Sequence, residues 1–416
     1  MTSHARRSSR RPLRTRLSIA ALTVGALALS ACGGGGEGDS GGDTAAAANG
    51  EPVRVLFVGG KSGPTAQIVS ETTQGLEAGI AEVNENGGID GRQLELEVLD
   101  TGGDQTRAVS ELQRRLSSGE KPDLVIPGVS SVEALAMAPI LTRQQIVSIN
   151  NAASPDLNKP DEYPFHFGYT PPGIRQQAGL PDALEELGAK SVVALLGNDA
   201  YGETMAEGVR SNLEGTGIDV TIETFNLADL DLSIAYERAI ASNPDAVFFE
   251  AIGDPAQRLV EARQVVGATD IPAIGGFGIN STNGGPSKWA SEEANENLYT
   301  QMFAATEYVD PEERSDVLGT FFERMEEQDG VQNSVLTPMI FFDIVRVYAA
   351  AANEAGSTDA ADVAEALEGD MEYPELVMWS DHHWSADDHF PTPQAEDLAF
   401  APRGELVDGM FRAFEN

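Results

Sequence analysis

The sequence predicts an α/β fold of two lobes, each a largely parallel sheet flanked by helices, with a ligand cleft between them. Strand-like and helix-like segments alternate as β-α-β-α-β from Val53 to Pro127, and a second alternating series begins at Ser191. That order gives parallel sheets covered by helices, with ligands outside the carboxyl ends of the strands. The length, 416 residues of which 41% are hydrophobic, supplies enough apolar material for a core in each of two domains.

The chain opens with six arginines between Arg6 and Arg16, followed by an apolar run from Leu17 to Leu29 and then Ser30-Ala31-Cys32. This is the tripartite layout of a secretory signal, and the run is too short for a membrane span of ~20 residues. Leu29-Ser30-Ala31-Cys32 resembles a bacterial lipobox, which implies cleavage before Cys32 and a lipid on its sulfur. Residues 1–31 are therefore expected to be a lipoprotein-type signal peptide, and Ser9-Arg10-Arg11 hints at twin-arginine export. Residues 32–50 carry no large apolar side chain and read as a lipidated Cys32 followed by a flexible, Gly-rich tether. The expected location is exported, membrane-anchored on the outer face of the cytoplasmic membrane and extracellular in exposure. Cys32 is the single cysteine, so no intrachain disulfide can form.

Charge narrows the partners. The chain has 27 Lys+Arg against 66 Asp+Glu, a formal net charge of -39, and loss of the six leader arginines takes it to about -45. Such a surface repels phosphate backbones, whose binding depends on Lys and Arg, so no nucleic-acid partner is expected. The acidity suits solubility in salt.

After Glu51-Pro52, Val53 to Val58 is a buried-strand run, and Ile68, Thr72, Leu76, Ile80 and Val83 recur at spacings of four and three, one apolar helix stripe. Leu94 to Leu99 alternates as a strand, Val109, Leu112 and Leu116 mark a helix, and Asp123 to Pro127 is a third strand. In the second series, strands are predicted at Ser191 to Leu196, Val220 to Phe225, Ala246 to Ile252 and Ile271 to Gly275, with a helix marked by Met205, Val209 and Leu213. Pro311 to Gly369 reads as largely helical, including Met339 to Ala352, and the tail from Glu375 as short strands and turns.

The motifs exclude more than they identify. Gly60-Lys61-Ser62 lacks the first glycine of a phosphate loop, because that position is Val55. Gly275-Gly276-Phe277-Gly278 lacks the third glycine of a dinucleotide fingerprint, with Ser281 in its place, and reads as a loop. Asp381-His382-His383 with Asp387-Asp388-His389 fits no recognised metal spacing, and neither Gly-x-Ser-x-Gly nor a Cys-His pair is present. No metal, cofactor or catalytic residue is expected. The positive signals are two strand-to-helix loops. Pro127-Gly128-Val129-Ser130-Ser131 offers backbone N–H groups and two hydroxyls at a helix start, either to hold an anion or simply to cap the helix. Asn198-Asp199-Ala200-Tyr201-Gly202 is its counterpart, with Tyr201 either covering a ligand or packing on the surface.

The chain resembles the solute-binding proteins of ABC transporters, of the type I periplasmic-binding fold and the leucine/isoleucine/valine-binding family. The likeness runs through Ser62-Gly63-Pro64, Glu82 and Asn84 with Gly87-Gly88-Ile89-Asp90-Gly91-Arg92, Asp100 with Asp104, Gly128 to Ser131, Ala138-Pro139, Ala152 to Leu157 and Tyr201-Gly202. It spans nearly all of Val53 to Arg412. It implies lobe 1 from residues 51–169 plus about 305–373, and lobe 2 from 170–304 plus about 374–416. Chain crossings are then expected near Gly168-Tyr169-Thr170, Phe303-Ala304-Ala305 and Tyr373-Pro374.

The same resemblance implies a ligand held by Ser130, Ser131 and nearby backbone groups, by the turn Ala152, Ala153 and Ser154, and by Tyr201 as an aromatic wall. Two positions depart from the family pattern. Ala153 replaces the turn's usual threonine, and Phe277 stands where the family places an acid for the ligand's ammonium. Glu250 could replace that acid, or the ligand could be uncharged or aromatic and pack on Phe277, Ile252 and Tyr201. The resemblance implies a monomer that captures a small amino-acid-like or related organic solute by lobe closure and delivers it to ABC permease subunits. The alternatives are a sensory lipoprotein signalling to a partner and, with less support, a secreted hydrolase.

Overall fold

In the computed structural model, residues 50–413 are described apart from 64–65, 381 and 394–396. Five parallel strands build the first sheet: β1 Val53–Gly59, β2 Leu94–Asp100, β3 Leu124–Ile126, β4 Val147–Asn150 and β5 His166–Gly168, in the order β2-β1-β3-β4-β5. The second sheet contains β6 Ser191–Gly197, β7 Asp219–Phe225, β8 Ala246–Glu250, β9 Ala273–Gly275 and β10 Leu298–Phe303, joined by β11 Leu398–Val407 and β12 Met410–Ala413. Its order is β12-β11-β10-β9-β8-β6-β7. Strands β6 to β10 run parallel, whereas β11 pairs antiparallel with both β10 and β12. Both sheets thus repeat one winding, 2-1-3-4-5 and 7-6-8-9-10, and each has its order reversal beside its first strand. That reversal opens a crevice at the carboxyl ends of the strands.

The predicted strands are recovered, but β4, β5 and β10 were not legible. β4 and β5 are four and three residues long, too short to show a period. The predicted loop at Gly275–Gly278 also needs correction, since Phe277–Ser281 is a short helix.

Helix Ala66–Glu85 and helix Leu336–Ala355 cover the first sheet and pack closely on each other. A Cβ on Gly75 would lie 2.4 Å from the Pro338 carbonyl oxygen, so this approach requires glycine. The tail is shared between the sheets. Trp384 donates its indole N–H to the Gly168 carbonyl at 2.9 Å and Trp379 donates to the Tyr169 carbonyl at 3.2 Å, which ties both tryptophans to the end of the first sheet. Phe390 fills the space a Gly168 side chain would need, its ring 2.2 Å from that Cβ position. The chain therefore returns to the second sheet between Phe390 and Leu398, later than Tyr373-Pro374. The other two crossings run through Tyr169 to Pro172 and through Ala304 to Thr306.

Asp343 ties one crossing down. Fully buried on helix Leu336–Ala355, it accepts from the Tyr169 hydroxyl at 2.9 Å, from the Met378 N–H at 2.9 Å and from the Val377 N–H at 2.9 and 3.1 Å. Burial pushes its carboxyl up to about 6, against these donors and the nearby Arg346.

Candidate functional site

The carboxyl ends of strands from both sheets enclose a cavity of about 380 Å³. Of the eight ligand-binding positions read from the sequence, Ser130, Ser131, Ala152, Ala153, Tyr201, Ile252 and Phe277 line it. Ser154 does not; its hydroxyl caps the turn Pro155–Leu157 through the Asp156 N–H at 3.3 Å.

The two serines after β3 have different occupations. Ser130 is the N-cap of helix Ser131–Gln144: its hydroxyl accepts from the Glu133 N–H at 3.4 Å and donates to the Glu133 carboxylate at 3.1 Å. The other oxygen of Glu133 accepts from the Thr101 hydroxyl at 2.8 Å. The Ser130 hydroxyl thus serves the helix start, so for Ser130 the plain capping role is the one observed. Ser131 stands first in the helix, and its hydroxyl has no protein partner among the described residues. The Ala134 N–H is taken by the Ser130 carbonyl, leaving the N–H groups of Ser131 and Val132 as unfilled donors at the helix start.

After β4, the Ala152 N–H donates to the Asn150 side chain at 3.2 Å, and the Ala153 carbonyl accepts from the Gly173 N–H at 2.8 Å. These bonds fix a turn whose lining is methyl groups and backbone.

Across the cavity, Asp199 caps helix Ala200–Leu213 by accepting from the Gly202 N–H at 3.0 Å. Gly202 lets that helix sit on the end of β6, because a Cβ there would meet the Gly197 carbonyl oxygen at 1.9 Å. Tyr201, one residue earlier, borders the cavity, and burial and then the neighbouring Glu250 carboxylate push its phenol well above the usual range. Phe277 stacks on Phe303 with ring centroids 4.1 Å apart. Ile252 and, on the opposite lobe, Val132 are 45% and 50% exposed, two apolar side chains left open at the cavity.

Glu250 is the last residue of β8 and only 1% exposed. One carboxylate oxygen accepts from the Gly278 N–H at 3.2 Å; the other has no hydrogen-bond partner among the described residues. Burial pushes the carboxyl up to about 8, and the Gly278 N–H, Tyr201 and the Ala251 N–H oppose that shift without cancelling it. The glycines that failed as a dinucleotide motif make its room. A Cβ on Gly276 would lie 1.8 Å from one Glu250 oxygen, and a Cβ on Gly278 would lie 2.1 Å from the other.

Sequence reasoning named Glu250 only as a substitute acid and missed Thr170, Thr337, Ile340 and Phe303 in the lining. A signal for Glu250 existed: it is the lone acid closing an otherwise apolar strand, Ala246-Val247-Phe248-Phe249. The tail's acid and histidine cluster is dispersed. His389 contacts the Glu368 carboxylate and the His166 carbonyl, Asp388 pairs with Arg175, and His382 is buried among Tyr169, Trp379 and Trp384. Cys32 and Asp381 lie outside the described residues.

A sequence model of the family described as periplasmic binding protein matches residues 52–397. The Leu/Ile/Val-binding protein BraC3 of Rhizobium johnstonii is 26% identical over 331 residues, covering 76% of this chain and 83% of that protein. The leucine-, isoleucine-, valine-, threonine- and alanine-binding protein of Pseudomonas aeruginosa is 22% identical, covering 88% of this chain and 90% of its own length. Among solved structures, a type 1 periplasmic binding protein from Bordetella pertussis superposes with a TM-score of 0.74 at 17% identity, covering 87% of this chain and 100% of its own. The branched-chain amino acid transporter substrate binding protein of Streptococcus pneumoniae, solved with isoleucine, superposes with a TM-score of 0.64 at 18% identity over 86% of this chain and 97% of its own.

Proposed function

The chain belongs to the periplasmic binding protein family, and we propose that it is the extracytoplasmic solute-binding component of an ABC importer. It captures a small amino-acid-like solute by closing its lobes and presents it to permease subunits in the membrane. The observation that carries this reading is the single cavity shared by the strand ends of both sheets. A solute touching both walls binds the closed state better than the open one, and only such differential affinity can drive closure. The lipobox at Leu29 to Cys32 supports a lipid anchor on Cys32, which keeps the receptor beside its permease.

Within the cavity, Ser131 and the two unfilled N–H groups at its helix start form the seat for a carboxylate. Tyr201, Phe277 and Ile252 supply apolar walls for the solute's body, and Ala152 and Ala153 close the floor. The relatives named for leucine, isoleucine and valine support a solute of this size. Catalysis has no place in this reading: of the two acids in the lining, Asp199 is engaged as a helix cap by the Gly202 N–H.

The test is a thermal-shift screen of the mature chain carrying Cys32→Ser, stripped of ligand by unfolding and refolding, against amino acids, carboxylates, amides, polyols and aromatic acids. A solute at 100 times its Kd stabilises by about 2.7 kcal/mol, a clear rise in Tm. Failure of every compound to shift Tm would remove the capture reading.

A further inference from the structure

We propose that Lys288 is a strap that holds the two lobes together in the empty protein, with Glu71 as its buried anchor; this goes beyond solute capture and rests only on the lobe movement in that reading. Lys288 belongs to the short helix Pro286–Trp289, between β9 and β10 of the second sheet. Its ammonium donates to the Gln332 carbonyl at 2.9 Å and to the Asn333 side-chain oxygen at 2.7 Å. Both acceptors lie just before helix Leu336–Ala355, which covers the first sheet. The Asn333 amide in turn donates to a Glu71 oxygen at 2.8 Å, and the Gln67 amide reaches the same oxygen at 3.1 Å. Glu71, on helix Ala66–Glu85, is only 7% exposed. Burial pushes its carboxyl above the usual range, and the Gln67 and Asn333 amides and then the Lys288 charge pull against that shift.

This tie is not one of the chain crossings, so it can open and reform while the backbone stays whole. Each of its ends is fastened beside the cavity wall. On the first lobe, Ile68 stands one helical turn before Glu71, and Thr337, whose hydroxyl is close to Glu71, stands four residues after Asn333; both line the cavity. On the second lobe, Trp289 donates its indole N–H to the Thr282 carbonyl at 2.8 Å, and the Thr282 hydroxyl donates to the carbonyl of the cavity residue Gly278 at 2.7 Å. Movement of either wall is therefore felt at the strap.

Charge explains why a cation stands here. A chain with 66 acidic and 27 basic residues repels itself, and Lys288 places one positive charge between the two bodies. Its bonds are charge-assisted. Asp408, which lines a groove together with Lys288, is taken by Arg314 at 2.9 Å. Drawing the lobes apart must break the Lys288 bonds, so the strap lowers the population of separated lobes and leaves the empty protein nearer the arrangement that grips a solute.

The test is a spin-label distance measurement on the mature chain carrying Cys32→Ser. Labels go on Gln113→Cys in helix Gln105–Leu116 and Glu261→Cys in helix Asp254–Val265, both exposed positions, and no solute is added. Lys288→Met should raise the ratio of separated to joined lobes about fivefold or more. Asn333→Ala should raise it less, because the Gln332 carbonyl remains, and Lys288→Arg, which keeps the charge, should stay near wild type. Lys288 is exposed, so its variants should fold with a Tm close to wild type.

Identical distance distributions in wild type and Lys288→Met would overturn the strap. So would a fall in Tm at unchanged distances, which would make Lys288 a static brace, or a Lys288→Arg distribution as wide as that of Lys288→Met. Each of these leaves solute capture standing, since the measurement contains no solute and the thermal-shift screen tests capture separately.

Discussion

Replacing Glu250 by glutamine in the ligand-free protein should change how stability depends on pH. The carboxyl is ordinary in the unfolded chain, at 4.5, and is pushed up to about 8 in the fold by burial. A carboxyl raised on folding holds its proton more tightly in the native state, so its contribution is full below about 4.5, falls as pH rises, and levels off above about 8. Each pH step of one inside that window removes about 1.4 kcal/mol, and the whole window corresponds to roughly 5 kcal/mol at most. Between pH 6 and pH 8 wild type should therefore lose about 2 kcal/mol relative to Glu250→Gln. The glutamine keeps the shape and never ionises, so other titrating groups cancel in the comparison. Urea unfolding followed by intrinsic fluorescence at half-unit pH intervals reads the difference directly. Two parallel pH profiles would refute the reasoning, since they would mean that Glu250 ionises freely in a hydrated site.

The two serines at the helix start should separate: Ser130→Ala loses a cap and about 1 kcal/mol of stability with binding little changed, whereas Ser131→Ala weakens solute binding with stability retained. Urea titration and calorimetry on both variants check this, and a shared phenotype would contradict it. Asp343→Asn turns one acceptor oxygen into a donor facing N–H and O–H groups and should cost about 3 kcal/mol, measured by denaturant midpoint. Gly276→Ala places a methyl against the Glu250 carboxylate, so affinity should fall by an order of magnitude or more while Tm drops modestly; unchanged affinity would contradict the packing described. His382 is pushed down to about 3 by burial. A lowered histidine stabilises fully above about 6.5 and progressively less below it, so wild type should lose about 1.4 kcal/mol per pH step relative to His382→Leu between pH 6.5 and 4.

How far the sequence speaks depends on how local the cause is. Strands β1, β2, β3, β6, β7 and β8 were legible because each carries five or more residues of its own pattern or a solid apolar run. Strand β5 is held by partners more than two hundred positions away, the Trp384 indole on the Gly168 carbonyl and the His389 carbonyl on the Gly168 N–H, and no window along the chain contains that information. The cavity walls show the same division. Ser131 and Tyr201 announce themselves as first-turn residues following strands. Thr337 and Ile340 reach the cavity from a helix that reads only as buried, and Phe303 comes from a strand that had no visible period. Ser154 illustrates the converse: its motif placed it beside the site, and the turn it caps turned its hydroxyl elsewhere.

Burial alone does not pick out a functional carboxylate here; the number of satisfied acceptors does. Glu133 is as buried as Glu250, but hydroxyls from Thr101 and Ser130 reach both of its oxygens, and its work is to fasten a helix start. Asp343 is fully buried and receives a phenol and two backbone N–H groups, which makes it a clamp on the Tyr169 crossing. Both are complete, so a solute has nothing to offer them. Glu250 receives a hydrogen bond from the Gly278 N–H and has the Tyr201 hydroxyl and the Ala251 N–H nearby, and one of its oxygens, at the wall of the cavity, has no hydrogen-bond partner among the described residues. An acceptor left unpaired in a buried wall is destabilising. On the capture reading proposed above, a solute donor that reaches this oxygen would favour the closed state. The expected consequence is measurable by small-angle scattering, where Glu250→Gln should remain in its ligand-free form at leucine concentrations that compact the wild type, and equal compaction of both would break the link between Glu250 and closure.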